Sequence, residues 1–410
     1  MDTVLTPAAL AATRGLVRLV LQRERQISRD HRAGSDQLPS HHLQQQLDAV
    51  PSEALLAAIR RHRLACVIHG DPLVATLLPR LVPTIQALAR QDAMAALALA
   101  SLTRELAALF EQAAIPLLVI KGIPLALQTT DSLTARGRGD LDLLVDPRRL
   151  PEAVALLESA GFSRCPGQFP HQLHSAWGRY GQWAYNQFSL VRQGQAGTQW
   201  IDLHWALSIV RAPLPSFSQA WQDGEVLNLN GQAVFTLSRL HAFQHACSHA
   251  AQDQWMCLRN LVDIDRLADQ LPGLDRIRLR HQPMVGCSAA VTHAVTGNEA
   301  LGPLHRGTGP GSTHALVRAA QAQLLPWRSQ GPGPWTPRHW ATTVQRMLVM
   351  SHDPRDWLRI LLLFSLPPAA CSDPATGEAL GLAGVLRARI QRLSRRLNEP
   401  RCYGSTRPRP

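Results

Sequence analysis

Residues 115–145 read IPLLVIKGIPLALQTTDSLTARGRGDLDLLV, and the reading of this stretch decides the fold. An apolar run, Pro116 to Ile120, stops at Lys121-Gly122. Ile123 to Leu127 has helical composition, and a polar loop carrying Arg136 and Arg138 follows. Asp140-Leu141-Asp142 then opens a second apolar run, Leu143 to Val145. Short runs of Leu, Ile and Val bounded by Gly, Pro and Asp predict strand, corner, helix, loop, strand. Side chains two apart on a strand share a face, so Asp140 and Asp142 project together with Leu141 behind them. Two carboxylates this close repel unless positive charge lies between them. A hard divalent cation with oxygen ligands, such as Mg²⁺, meets that need. Water around an Asp-x-Asp at a strand end meets it as well.

Lys121-Gly122, Arg136 and Asp140-x-Asp142-Leu-Leu-Val together resemble the signature of a largely uncharacterised bacterial nucleotidyltransferase family. That family belongs to the DNA-polymerase-beta-like superfamily. The superfamily usually has Gly-Ser at the strand-to-helix corner. Lys121-Gly122 stands there in this chain, and the gap from Gly122 to Asp140 is longer than the minimal pattern. Trp200-Ile201-Asp202-Leu203-His204-Trp205 is similar to the family's strand bearing a third acidic position. His245, His249 and Leu258 to Asp263 resemble its following helical segment.

The resemblance implies an α+β fold, with a small mixed-sheet nucleotidyltransferase core flanked by mainly helical N- and C-terminal subdomains. It implies that Asp140, Asp142 and Asp202 are catalytic and hold two Mg²⁺ (or Mn²⁺) ions. Lys121, Gly122, Arg136 and Arg138 would meet a nucleoside triphosphate such as ATP. His245 and His249 would contact nucleotide or acceptor. His204 shares a strand face with Asp202 by the same two-residue rule, and either supports a metal-bound carboxylate or packs against Trp200 or Trp205.

At 410 residues the chain is long enough for two or three subdomains. Arginine carries almost all the positive charge, and the net charge is +12. Such a balance points to polyanionic company, whether nucleotide, nucleic acid or anionic membrane, or to a composition biased towards Arg and Ala. Seven widely spaced cysteines without a C-x-x-C argue against a disulfide framework and a cysteine zinc site. No cleavable leader pattern and no apolar run of spanning length is legible, which makes a cytoplasmic location the expectation.

Residues 5–28, 51–66, 71–90 and 91–113 read as helices, which predicts a helical N-terminal subdomain over 1–114. The α/β core is expected over 115–236. It includes a helix over 147–160, irregular chain over 162–180, and antiparallel strands 184–191 and 198–205 joined across Gly194 and Gly197. Asn230-Gly231 marks a further turn. A helical C-terminal subdomain is expected over 237–400, and a basic, disordered tail over 401–410. Gly307 to Ser312 lacks the lysine of a phosphate loop and reads, like Ser329 to Pro337, as a linker.

His241, His245 and His249 fall on one helical stripe, without a third zinc ligand nearby. Asp263 and Asp265 lie on a helix about 200° apart and so are no second metal pair. Asp263 is expected to orient a buried partner, and Asp265 to be solvated. Trp357 to Phe364 is apolar, and eight arginines against Glu399 follow in 386–410. That pattern reads as a buried helix with a disordered tail, or as peripheral contact with an anionic membrane.

Three functions compete. The first is nucleotidyl transfer from a nucleoside triphosphate to an acceptor, with a small molecule or peptide favoured over a protein side chain. The second is nucleic-acid-directed transfer, which the charge supports and the lack of aromatic-basic interleaving weakens. The third is a non-catalytic nucleotide-binding module, against which all three carboxylates count.

Overall fold

The computed structural model describes residues 6–29, 41–137, 139–165, 173–194, 197–305, 344, 347–348, 350–366, 380–381, 383–387 and 390–391. The chain is mixed α and β, mainly helical, with one five-stranded sheet and one separate hairpin. The expected tail over 401–410 and the two glycine-proline loops lie outside the described residues, as do the linker readings made for them.

Contacts divide the chain into two units, neither of them a single run of sequence. One comprises Met1–Ala100, Leu125–Gly139 and Ala242–Gln330; the other comprises Ser101–Pro124, Asp140–His241 and Gly331–Pro410.

The first unit is helical. Helix α1 (Pro7–Arg29) buries Leu10, Leu16, Val17, Val20 and Leu21 on helical spacing. It packs on α2 (His41–Asp48), α3 (Ser52–Arg61) and α4 (Ala65–Ile68). The short α5 (Pro72–Leu77) starts at Asp71, whose side chain accepts the Leu73 N–H at 2.8 Å. Helix α6 (Val82–Gln112) is one continuous element, with no break near residue 90. By length and composition alone α6 is long and apolar enough to span a bilayer, which corrects the expectation that no run approaches that length. Its alanines raise the hydropathy without the bulky side chains a sequence scan looks for.

The second unit holds the sheet. Strand β1 is Leu117–Val119, and helix α7 (Ile123–Thr130) starts after it. Next come β2 (Leu141–Val145), α8 (Leu150–Ser159), β3 (Ser163–Arg164) and α9 (Ala176–Ala184). Helix α9 begins inside the stretch expected to be irregular and runs on to the start of the strand expected over 184–191; its N-cap Ser175 accepts the Gly178 N–H at 2.9 Å. Strands β4 (Gln187–Gly194) and β5 (Gly197–His204) complete the sheet, in the order β1-β2-β5-β4-β3.

Among the described residues only the β2–β5 pair is parallel; the other pairings of this sheet are antiparallel. One sheet face is apolar across its centre, where Leu117, Val119, Leu141, Leu143, Ile201, Leu203, Phe188 and Leu190 are all buried; Arg164, Arg192 and Gln199 share that face towards the β3 edge and the hairpin end. The opposite face carries the polar residues described below. Helix α10 (Phe217–Gln222) leads into the hairpin β6 (Glu225–Leu229) and β7 (Gln232–Thr236). Thr236 donates its hydroxyl to the Val119 carbonyl at 2.6 Å, tying the hairpin to β1.

Helix α11 (Arg239–Gln252) follows, then α12 (Leu258–Gln270), α13 (Gly273–Leu279), α14 (Pro283–Thr296) and α15 (Gly302–His305). Near the C-terminus, α16 (Pro354–Ser365) packs on α9.

Candidate active site

The site is built on the polar face of the sheet, where parallel pairing sets Asp142 of β2 directly beside Asp202 of β5. Neighbouring strands lie about 4.8 Å apart, so the two carboxylates are forced into proximity by register alone. Asp142 is buried and Asp202 half-buried; Asp140, just before β2, is exposed.

Each inner carboxylate has a fixed partner. Ser189 of β4 lies opposite Asp202 and donates to its Oδ1 at 2.5 Å. His204 Nε2 lies 3.1 Å from Asp142 Oδ1, and its Nδ1 lies 3.4 Å from Asn186 Nδ2. An amide nitrogen can only donate, so Nδ1 is the acceptor and Nε2 carries the proton. His204 thus donates through Nε2 to Asp142 and holds that carboxylate in place. Of the two roles open to His204 in the sequence, supporting the carboxylate is the one its contacts serve.

The corner residues also converge here. Lys121 Nζ lies 3.4 Å from the same Asp142 Oδ1. It is the chain's only lysine; arginine supplies every other one of the 42 Lys and Arg residues. Gly122 has φ 66°, a left-handed conformation that a Cβ would strain, and Ile120 N–H donates to the Asp142 carbonyl at 3.0 Å. Pro124, second in α7, has no N–H, so the helix start offers fewer backbone donors than a glycine-rich corner.

Other expected residues lie in different surroundings. Arg136 is buried and makes a bidentate pair with Asp263, with Nε and Nη2 each 2.9 Å from a carboxylate oxygen. Asp263 therefore orients a buried partner, as its helix position suggests. Asp265 is not solvated: it is buried, 2.5 Å from Arg25 Nη1, and burial pushes its carboxyl up to about 6 against the pull of Arg25. The solvated reading failed because α12 is buried on nearly every side. Arg138 lies outside the described residues. His245 is buried on α11 and His249 half-buried, with its Nδ1 3.5 Å from Asn260 Nδ2.

Ser189 and Asn186 went unnoticed in the sequence. A hairpin closing at Gly194 and Gly197 fixes the register, and counting back along both strands puts Ser189 opposite Asp202.

The in-register pair Asp142 and Asp202 offers hard carboxylate oxygens of the kind Mg²⁺ takes, and Asp140 stands at the entrance to the strand. Among the described residues no three His, Cys, Asp or Glu side chains already surround one point. The set fits an ion completed by substrate phosphates, since Mg²⁺ is commonly held by one or two carboxylates plus phosphate.

No protein of curated function matches the chain. A solved structure described as an antigenic nucleotidyltransferase-like protein from Paracoccidioides brasiliensis is similar at 17% identity. The match covers 50% of this chain and 92% of that one, with a TM-score of 0.34. A family model described as uncharacterised nucleotidyltransferase matches residues 48–284, which contain the corner, the paired carboxylates and the buried Arg136–Asp263 pair. That match spans more than half of the 410 residues, and the chain belongs to this family of uncharacterised nucleotidyltransferases.

Proposed function

We propose that the protein transfers a nucleoside monophosphate from a nucleoside triphosphate to a hydroxyl-bearing acceptor, a small molecule or peptide. The observation that carries this reading is the in-register pair Asp142 and Asp202, each carboxylate held by its own donor. The acceptor oxygen attacks the α-phosphorus, the bond to the β-phosphate oxygen breaks, and pyrophosphate leaves. Asp140, Asp142 and Asp202 would hold two Mg²⁺ or Mn²⁺ ions, which supply stabilisation of the charge on the attacking and leaving oxygens.

Asp202 stands to receive the acceptor proton, and the Ser189 hydroxyl on its Oδ1 turns the other oxygen's lone pairs to a fixed direction. His204 keeps Asp142 from rotating away. Lys121 can exchange Asp142 for a phosphate oxygen with a small side-chain movement, and Gly122 lets the backbone approach the triphosphate. Arg136 is committed to Asp263, so its part is to clamp the loop; Arg138 remains the loop's candidate for phosphate. Lys121 presents a compact ammonium here, which a planar guanidinium does not reproduce.

A nucleic-acid acceptor is the second reading, favoured by the net charge of +12. RNA binding that falls steeply with salt would support it.

The test follows Mg²⁺-dependent pyrophosphate release with mixed triphosphates and candidate acceptors. Asp142→Asn and Asp202→Asn should each lose at least roughly a hundredfold in rate. Lys121→Arg should lose about tenfold. Wild-type rates in the two Asn variants, with circular dichroism unchanged, would refute the mechanism.

A further inference from the structure

Helix α6 and the β6–β7 hairpin border a cavity of about 330 Å³ at the β1 edge of the sheet, within one unit of the chain. Phe110 and Glu111 line it from α6, and Leu117 and Val119 line it from β1. Trp221 of α10 and Phe235 of β7 supply the hairpin side. The bond from the Thr236 hydroxyl to the Val119 carbonyl holds that side against β1. By register Leu117 and Val119 belong to the apolar sheet face, while Asp142 points to the opposite one. The cavity is therefore no part of the carboxylate site.

Two features of its lining select a ligand. The first is a stack of rings. Phe217 and Trp221 lie 6.0 Å apart and Trp221 and Phe235 4.8 Å apart, each pair at an interplanar angle of 20°. Phe235 ends this stack with 38% of its surface exposed, and among the described residues no further ring lies on it. The second is one carboxylate. Glu111 is the only charged side chain of the lining, in a chain of net charge +12. Gln232 donates to its Oε2 at 2.7 Å, which fixes the group at the cavity mouth and leaves Oε1 for a second donor. Apolar surface is exposed elsewhere too. The stretch Trp357 to Phe364, expected to be buried, turns Trp357, Leu358 and Leu361 outward, because the Asp356–Arg359 ion pair takes its inner side. That arc by itself selects no ligand; the cavity joins shape to charge.

We propose that this cavity binds a small aromatic amine, with its ring against Phe235 and its ammonium group on Glu111. The volume is that of about eleven waters at about 30 Å³ each, which suits a compound of one or two rings. A planar ring continues the stack that Phe235 leaves open. The carboxylate accepts a charge-assisted hydrogen bond from an ammonium group, and the ring faces beside it favour the same charge. An acid of the same shape would bring its own carboxylate against Glu111 and be repelled. A purely aliphatic chain would fill the volume but leave the carboxylate unused. The inference stands apart from the reading of the transfer reaction, since none of its residues belongs to the carboxylate site.

The test titrates the full chain with tryptamine at neutral pH and follows binding by saturation-transfer NMR. Tryptophol and indole-3-acetate serve as the neutral and anionic counterparts. Tryptamine should bind with a Kd of about 1 mM or tighter. Tryptophol should bind at least about fivefold more weakly, and indole-3-acetate more weakly still. Glu111→Gln, which keeps an acceptor for Gln232, should bring tryptamine down to the level of tryptophol and change tryptophol by less than about twofold. Phe235→Ala should weaken both at least about fivefold. Glu111 and Phe235 are both exposed, and circular dichroism checks that the variants are folded. No binding of tryptamine to the wild type at about 10 mM would overturn the proposal. Equal binding of the three probes would overturn it too, as would wild-type affinity for tryptamine in Glu111→Gln. Pyrophosphate release does not enter the readout, so this site and the transfer reaction stand or fall separately.

Discussion

His62 is a side chain whose charge state the fold decides. It is 2% exposed; its Nδ1 accepts the Leu258 N–H at 3.3 Å, and its Nε2 has no hydrogen-bond partner. Burial, helped by Arg61, pushes the imidazole down to about 4. The folded protein therefore binds fewer protons than the unfolded chain between pH 4 and the ordinary value of 6.5. Stability from neutral His62 is complete above that window and is lost as pH falls through it. The shift corresponds to about 3 kcal/mol. Asp265 works in the opposite sense: its carboxyl, raised to about 6, adds stability as pH falls towards its ordinary range. A comparison isolates His62. In urea titrations, the stability difference between wild type and His62→Asn should shrink by up to about 3 kcal/mol from about pH 7 to about pH 4. A difference independent of pH would show that His62 is not held neutral. Neither residue was legible in the sequence, because burial of a polar side chain depends on what packs over it. Asp263 was half legible: its helix position excluded a metal pair, but Arg136, 127 residues away, could not be read as its partner.

At the scale of elements, local chemistry carried most of the information. The Asn230-Gly231 turn, the Gly194 and Gly197 hairpin and the apolar runs around Asp142 are encoded in short stretches; the strands form there, with β4 (Gln187–Gly194) displaced towards the hairpin from the expected 184–191. The side-by-side placement of Asp142 and Asp202 was not local, because it needs the parallel β2–β5 pairing between residues far apart in the chain. Helix α9 was hidden by its glycines, Gly178 and Gly181, which are poor helix formers yet lie on its buried face. The junction between α10 and β6 is as tight. A Cβ on Gly224 would sit 2.8 Å from the Thr236 carbonyl oxygen and 3.0 Å from that of Ala220. Both are backbone atoms, so neither gives way cheaply. Gly224→Ala should cost about 1–3 kcal/mol in chemical denaturation. Because Thr236 also ties the hairpin to β1, the loss should appear as unfolding of the sheet unit rather than as local fraying. An unchanged midpoint would show that the junction relaxes freely.

On the scale of the whole molecule, sequence order and spatial order part company. The helical unit is assembled from three separate stretches of chain. Its first stretch is tied to its last by buried or half-buried charge pairs, Arg25 with Asp265 and Glu24 with Arg266, and its middle stretch by Arg136 with Asp263. Hydrophobic periodicity found these helices but not their grouping, since periodicity reports only on neighbours three or four residues apart. A fragment of residues 1–241 lacks the last stretch and so removes Asp265, Arg266 and Asp263 from their pairs with Arg25, Glu24 and Arg136. Removing one member of a buried pair costs about 3–5 kcal/mol. The fragment should therefore show less helix per residue than the full chain and no cooperative urea transition in its helical part. A sharp transition with full helicity would show that the early helices fold without their late partners. The same interleaving sets a clock on biosynthesis. Arg25 and Asp265 are 240 residues apart, and ribosomes add about 5–20 residues each second. The nascent N-terminal helices thus wait on the order of 10–50 s before their partners are translated, long enough for chaperones to be their first companions.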